Sequence, residues 1–131
     1  MYNILYVEDD ANSRQVFKMA EQMIPNLFYT TIFADSVDFE NRIQQLDHTP
    51  DLIFLDIHVP PHSGFDMLEM IRQNPDFDNV PVAALTASVM NDEVEMLKHA
   101  GFQGVLGKPI DLDILPEVIE QLIDGVPIWH I

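Results

Sequence analysis

Four segments set polar side chains directly after apolar runs. Glu8, Asp9 and Asp10 follow "NILYV", Asp56 follows "LIFL", Thr86, Ala87 and Ser88 follow "VPVAAL", and Lys108 with Pro109 follows "GVLG". If these ends converge, Glu8, Asp9 and Asp56 repel one another and raise their own pKa values unless a cation sits among them. With no cysteine in the chain, ligation is by oxygen, which favours a hard ion. A few carboxylates, a backbone carbonyl and water suit Mg²⁺, which keeps part of its hydration shell. A metal so placed can also bind phosphate oxygens, and a neighbouring carboxylate can act as nucleophile toward phosphorus, giving an aspartyl phosphate. Thr86 and Lys108 can then hold two further phosphoryl oxygens by hydrogen bond and charge. Lys108 is one of only six basic residues and follows an apolar run instead of decorating a helix face, which favours a role in the site.

The elements that must position these residues alternate along the chain. "NILYV" reads as a buried strand, and residues 11–24 as a helix with Val16, Met19, Ala20 and Met23 at helical spacing, stopped by Pro25. "FYTTIFA" is β-branched and aromatic, a second strand; Ser36 is expected to cap the next helix, whose apolar face is Val37, Ile43 and Leu46. "LIFL" is the third strand, followed by a helix over 65–72 ended by "NPDFDN". "VPVAAL" is the fourth strand, "DEVEMLKHA" a helix closed by Gly101, "GVL" a short fifth strand, and residues 112–123 a last helix ended by Gly125. Strands apolar on both faces, alternating with helices, imply a five-stranded parallel sheet covered on both sides, an α/β doubly wound domain. In such sheets the ligand site lies at the carboxyl ends of the strands, where Glu8, Asp56, Thr86 and Lys108 all stand. That placement explains how a buried strand can end on Asp56.

Composition narrows the function classes. The 131 residues suit one compact domain, and 47% hydrophobic residues suffice for a core. A formal net charge of −16 repels phosphate backbones and anionic lipid, which argues against nucleic acid and membrane surfaces as partners. The start "MYNILYVEDD" is acidic where a signal peptide needs basic residues, and no apolar run reaches the ~18 residues of a membrane span. Absence of cysteine suits a reducing compartment, so a soluble cytoplasmic protein is expected.

Taken together, "ILYVEDD", "DLIFLDIHVPPHSG", "VPVAALTAS" and "GVLGKPI" resemble, in order and rough spacing, the receiver domain of two-component response regulators. One of these motifs alone is weak; four in order are highly specific. The resemblance implies a flavodoxin-like fold with strand order 2-1-3-4-5 and transfer of a phosphoryl group from a sensor histidine kinase's phosphohistidine to Asp56. It implies that Asp9 and Asp56 touch Mg²⁺ directly, Glu8 through water, and His58 through its backbone carbonyl. Thr86 matches the switch hydroxyl, Ala87 the small residue whose N–H binds phosphate, Ser88 a variable neighbour of the site, and Lys108 the phosphate-binding lysine, followed in the family by a proline often in cis. One departure is evident: the family's aromatic three residues before the lysine is here Val105, and Phe102, the nearest aromatic, does not occupy that position. The implied output face is formed by the fourth helix, fifth strand and fifth helix.

Residues 1–124 are expected to form the receiver domain and 125–131 an apolar tail, leaving no room for an output domain. Such a chain acts by contact, with a kinase and with a histidine phosphotransfer domain or a downstream target, as monomer or homodimer; it is not expected to be an enzyme. Val126, Ile128 and Trp129 are expected to fold back on the domain, with a dimer or partner contact through Trp129 as the alternative. Asp9 and Asp10 can cap the first helix, and Asp10 is assigned to that role. His58 and His62 read as solvated loop residues in preference to a transition-metal pair, with His58 beside the approach of water to the phosphoryl group. Met19, Met23, Met67, Met70 and Met96 read as core filler. A rival from another class is a haloacid-dehalogenase-like phosphatase, because "FLDIHV" resembles its D-x-D-x-[TV] signature, although His58 replaces the second Asp. A receiver-like binding module that works without phosphorylation is the other alternative. Turnover of a phosphate ester would favour the phosphatase, and absence of a stable acyl phosphate the binding module.

Overall fold

Strands that are apolar on both faces need cover on both, and the chain supplies it by sending its first and last helices to one side of the sheet and the three between them to the other. In the computed structural model, which describes residues 1–129, the order is β1 (Tyr2–Val7), α1 (Ala11–Met23), β2 (Phe28–Phe33), α2 (Phe39–Gln44), β3 (Leu52–Asp56), β4 (His58–Val59) and β5 (His62–Ser63). There follow α3 (Gly64–Arg72), a short 3-10 helix (Pro75–Phe77), β6 (Val82–Thr86), α4 (Asn91–Ala100), β7 (Gly104–Gly107), α5 (Leu115–Ile123) and β8 (Ile128–Trp129). The main sheet runs β2-β1-β3-β6-β7-β8, every pair parallel, while β4 and β5 form a small antiparallel hairpin. The expected order 2-1-3-4-5 is therefore present in the first five positions. The expected count of five is corrected to six, because Ile128 and Trp129 add a strand beside Gly104 and Val105.

Two cores result, one per face. Helices α2, α3 and α4 bury Phe39, Ile43, Met67, Ile71 and Leu97 against one side, over Leu55 and Val105. Helices α1 and α5 bury Phe17, Ala20, Leu115 and Ile119 against the other, over Tyr6 and Phe54. Burial at roughly 25 cal/mol per Å² of apolar surface is what holds the layers together.

Several local expectations are corrected by tertiary contacts. On α1 the buried residues are Phe17 and Ala20, while Val16, Met19 and Met23 are exposed. The large ring of Phe17 turns the helix toward the core: it lies 4.5 Å from the Tyr6 ring and edge-on to Phe28 and Phe54. Met96 is exposed as well, leaving Met67 as the fully buried methionine among the five expected in the core. Ser36 does not cap α2, whose N-cap is Asp38 in a left-handed conformation. Its buried hydroxyl instead donates to the Val59 carbonyl at 2.5 Å and accepts the His62 N–H at 2.7 Å, tying the β2–α2 turn to the hairpin after Asp56. On the same helix Phe39 is buried and Val37 exposed. Helix α5 starts at Leu115, later than expected, because Asp111 folds residues 111–114 into a turn that accepts the Asp113 N–H on its side chain. Ile128 is buried and Trp129 packs on the α4 side beneath Lys98, 5.0 Å from the ring, whereas Val126 stays exposed. His130 and Ile131, the end of that tail, lie outside the described residues. Among the described residues no helix is long and apolar enough to cross a membrane.

Candidate functional site

Parallel pairing aligns the strand ends. Asp56 closes β3 opposite Leu85 of β6, so Thr86 stands one residue beyond it on the neighbouring strand; Thr86 in turn faces Gly107 of β7, so Lys108 stands one residue further. On the other flank, Val7 of β1 pairs with Leu55, which brings Glu8 beside Asp56. The register alone brings these residues to one edge of the sheet.

There the Lys108 ammonium bridges two carboxylates, at 2.7 Å from Glu8 Oε1 and 2.9 Å from Asp56 Oδ2. Glu8, Asp9 and Asp56 each offer an oxygen within 4.8 Å of the others'. Glu8 is fully buried, Asp56 nearly so, and Asp9 is exposed, so the cluster opens to solvent on the Asp9 side. Asp56 Oδ1 accepts the His58 N–H at 3.0 Å, which fixes the carboxylate plane. Glu8 Oε1 also accepts the Tyr6 hydroxyl at 2.9 Å, and Oε2 the Asp10 N–H at 3.3 Å. Asp10 points away to cap α1, accepting the Ser13 N–H at 2.8 Å and the Ser13 hydroxyl at 2.7 Å.

Thr86 is buried at the end of β6, and its hydroxyl is engaged by its own loop: it donates to the Ser88 carbonyl and accepts the Ser88 N–H, each at 3.1 Å. Ala87 is exposed between them. The Lys108–Pro109 bond is cis, as is Pro60–Pro61. His58 is exposed and shares with Thr86, Phe65 and Leu97 the wall of a cavity of about 120 Å³. Val105 is completely buried in the α4-side core, and Phe102, also buried, packs edge-on against Phe65. His62 lies in the hairpin and belongs to no metal-spaced cluster among the described residues.

The electrostatics follow from burial and proximity. Burial pushes the Glu8 carboxyl up, and a hydrogen bond shared with Asp56 pushes it further, so of the two it is Glu8 that holds a proton more readily. Burial also works against the Asp56 charge, but the hydrogen bonds from Glu8, from the His58 N–H and from Lys108 outweigh it and hold Asp56 below the ordinary carboxyl range. For Lys108, burial opposes the charge while the contacts with Glu8 and Asp56 overcome it and raise its pKa. An ionised Asp56 beside a firmly charged ammonium can in principle serve as a nucleophile, with the ammonium available to negative oxygens. Burial first, then the Glu8 charge and hydrogen bond, raise the Tyr6 phenol, which stays protonated as a donor.

Those carboxylates fit a hard cation. All their donor atoms are oxygen, they are within a few ångströms of one another, and among the described residues the Lys108 ammonium pairs with two of the three. Sequence reasoning misses Tyr6. The signal was the two-residue period of β1, which puts Tyr6 and Glu8 on the same face of the strand.

A doubly wound parallel sheet with this acidic edge, a strand-end Asp and an opposing Lys defines a receiver. The chain belongs to the response regulator receiver domain family, whose model matches residues 4–120. Among individual proteins, it is 28% identical over 123 residues to the polar-differentiation response regulator DivK of Brucella anthropi, an alignment covering 91% of this chain and 94% of the relative. Among solved structures, it is similar to the receiver domain of sensor histidine kinase PA1611 from Pseudomonas aeruginosa PAO1, which has a magnesium ion coordinated in its active site cleft. That likeness has 25% identity and a TM-score of 0.79, covering 94% of this chain and 98% of the other. The Mn²⁺-bound form of response regulator Rcp1 is similar at 26% identity and a TM-score of 0.74, covering 92% and 90%.

Proposed function

We propose that this receiver accepts a phosphoryl group on Asp56 from a phosphohistidine of a sensor histidine kinase and then engages a partner, a histidine phosphotransfer domain or a downstream target protein. The observation that carries this reading is the Lys108 ammonium held between Asp56 and Glu8 at the carboxyl edge of the sheet. An Asp56 oxygen attacks phosphorus, the O–P bond forms as the P–N bond breaks, and the bonding pair leaves with the imidazole nitrogen, which takes up a proton. Lys108 then swings from the carboxylates to the new phosphoryl oxygens, a short move because its ammonium already touches Asp56. The Thr86 hydroxyl and the Ala87 N–H offer two further hydrogen bonds once Thr86 releases Ser88.

Asp9, Asp56 and the His58 carbonyl would hold Mg²⁺, with Glu8 acting through water; when bound, that ion supplies charge neutralisation at the phosphoryl oxygens. The magnesium in the cleft of the PA1611 receiver supports this choice of ion. The chain would act as a signalling domain that carries one phosphoryl group at a time, not as an enzyme turning over substrate. Its charge of −16 steers it toward protein partners and away from nucleic acid, and a cytoplasmic location suits a partner of a kinase's catalytic side. Incubation with phosphoramidate and, separately, with an aryl phosphate ester tests the class. One phosphoryl group per chain from the first and no turnover of the second is expected; sustained release of phosphate from the ester would establish a phosphatase instead.

A further inference from the structure

Once a phosphoryl group draws Lys108 away, the fully buried Glu8 carboxylate must be held by its other neighbours. Glu8 has zero exposure, and its other neighbours are the Asp10 N–H at 3.3 Å and the Tyr6 hydroxyl at 2.9 Å. The Asp10 contact is long for a hydrogen bond, so the phenol is the strong donor that remains. Tyr6 cannot drift. Its ring is completely buried, lies 4.5 Å from Phe17, and Phe17 is itself wedged edge-on between Phe28 and Phe54. A rigid aromatic body thus aims one polar atom at one carboxylate oxygen.

We infer that Tyr6 is a positioning residue of the site: its hydroxyl fixes Glu8 Oε1 and so orients the carboxylate toward the cation and its water. The role rests on the metal reading given above and extends it to a residue to which the sequence pattern assigns no part in the site. The chemistry is that of an outer-shell partner, which tunes a ligand it touches without touching the ion, and loss of such a partner costs about 10–100-fold in metal affinity. Because Glu8 acts through water and keeps the Asp10 N–H, the low end is expected here.

The test is Mn²⁺ binding, followed by the electron paramagnetic resonance signal of free ion, in wild type, Tyr6→Phe, Glu8→Gln and the double variant, with circular dichroism on each. Tyr6→Phe keeps the ring and removes only the hydroxyl. Binding weaker by about tenfold in Tyr6→Phe, with no further loss when the same change is made in Glu8→Gln, is the expected result. Equal affinity of wild type and Tyr6→Phe would overturn the inference while leaving the metal site intact. The same loss in both backgrounds would also overturn it, since Tyr6 would then act on the fold and not through Glu8. Failure of the wild type itself to bind Mn²⁺ or Mg²⁺ would remove the metal reading, and the Tyr6 role with it.

Discussion

Replacing Lys108 with Met keeps the side chain's length and removes the ammonium that Glu8 and Asp56 share. Each contact, at 2.7 and 2.9 Å, brings opposite charges together where Glu8 is fully buried and Asp56 is 10% exposed in its side chain. Gross attraction between such charges at about 4 Å is about 4 kcal/mol at an effective dielectric near 20. Desolvation of the ammonium offsets much of that, and breaking a buried pair costs a net ~3–5 kcal/mol. The Lys108 side chain is 20% exposed, so its loss sits at the low end, about 3 kcal/mol. The deficit depends on pH in a definite direction. Glu8 already binds a proton more readily folded than unfolded, and without the ammonium it does so more strongly. A folded state that binds the extra proton gains stability as pH falls, so the deficit is largest in mildly alkaline buffer and shrinks in mildly acidic buffer. Mg²⁺ replaces the missing positive charge and should stabilise Lys108→Met more than wild type. Urea unfolding in EDTA and in Mg²⁺ across that pH range measures all three effects. A variant as stable as wild type at alkaline pH, or a deficit indifferent to pH, would refute the view that Lys108 is what holds the two carboxylates together.

Other perturbations read different parts of the structure. In wild type, saturating Mg²⁺ at about a hundred times its dissociation constant should add about 2.7 kcal/mol to unfolding stability, and Asp9→Asn should lose most of that gain; equal stabilisation of both would take Asp9 out of the metal shell. Gly64→Ala puts a Cβ 2.8 Å from Ile57 Cδ1 and 3.0 Å from its Cα, the residue next to Asp56. Overpacking there should cost about 1–3 kcal/mol and slow labelling of Asp56, and unchanged stability would show that the α3 start yields easily. Ile128→Ala should lower stability by about 2 kcal/mol, the low end for a buried Ile at a sheet edge, with a red shift of Trp129 fluorescence as β8 loosens. No change in either would remove β8 from the native sheet.

Much of this was legible because parallel sheets write their design plainly. "LIFLD" is apolar on both faces and ends in a carboxylate, and in a doubly wound sheet only the carboxyl edge can receive it; Asp56, Glu8, Thr86 and Lys108 follow from the same rule. What failed to show depended on distant partners. Val16, Met19 and Met23 have helical spacing as good as any buried stripe, and only the stack of Tyr6, Phe17, Phe28 and Phe54 decides which side of α1 turns inward. Ser36 looks locally like a cap, yet its acceptor is Val59, twenty-three residues on. Strand β8 has two residues and no turn or period of its own; it exists because Gly104 and Val105 present an open sheet edge that Ile128 can bury against. Val105 was visible in the sequence as a departure, and what the sequence did not show is its complete burial in the core on the α4 side of the sheet.

The most direct measurement is intact-protein mass after incubation with acetyl phosphate, with Mg²⁺ or with EDTA, for wild type and Asp56→Asn, followed by borohydride trapping and peptide mapping. A gain of one phosphoryl group that requires Mg²⁺, maps to Asp56 and vanishes in Asp56→Asn is the expected result. No adduct from acetyl phosphate or phosphoramidate in folded protein, or an adduct that persists in Asp56→Asn, would contradict the assignment of Asp56 as phosphoacceptor.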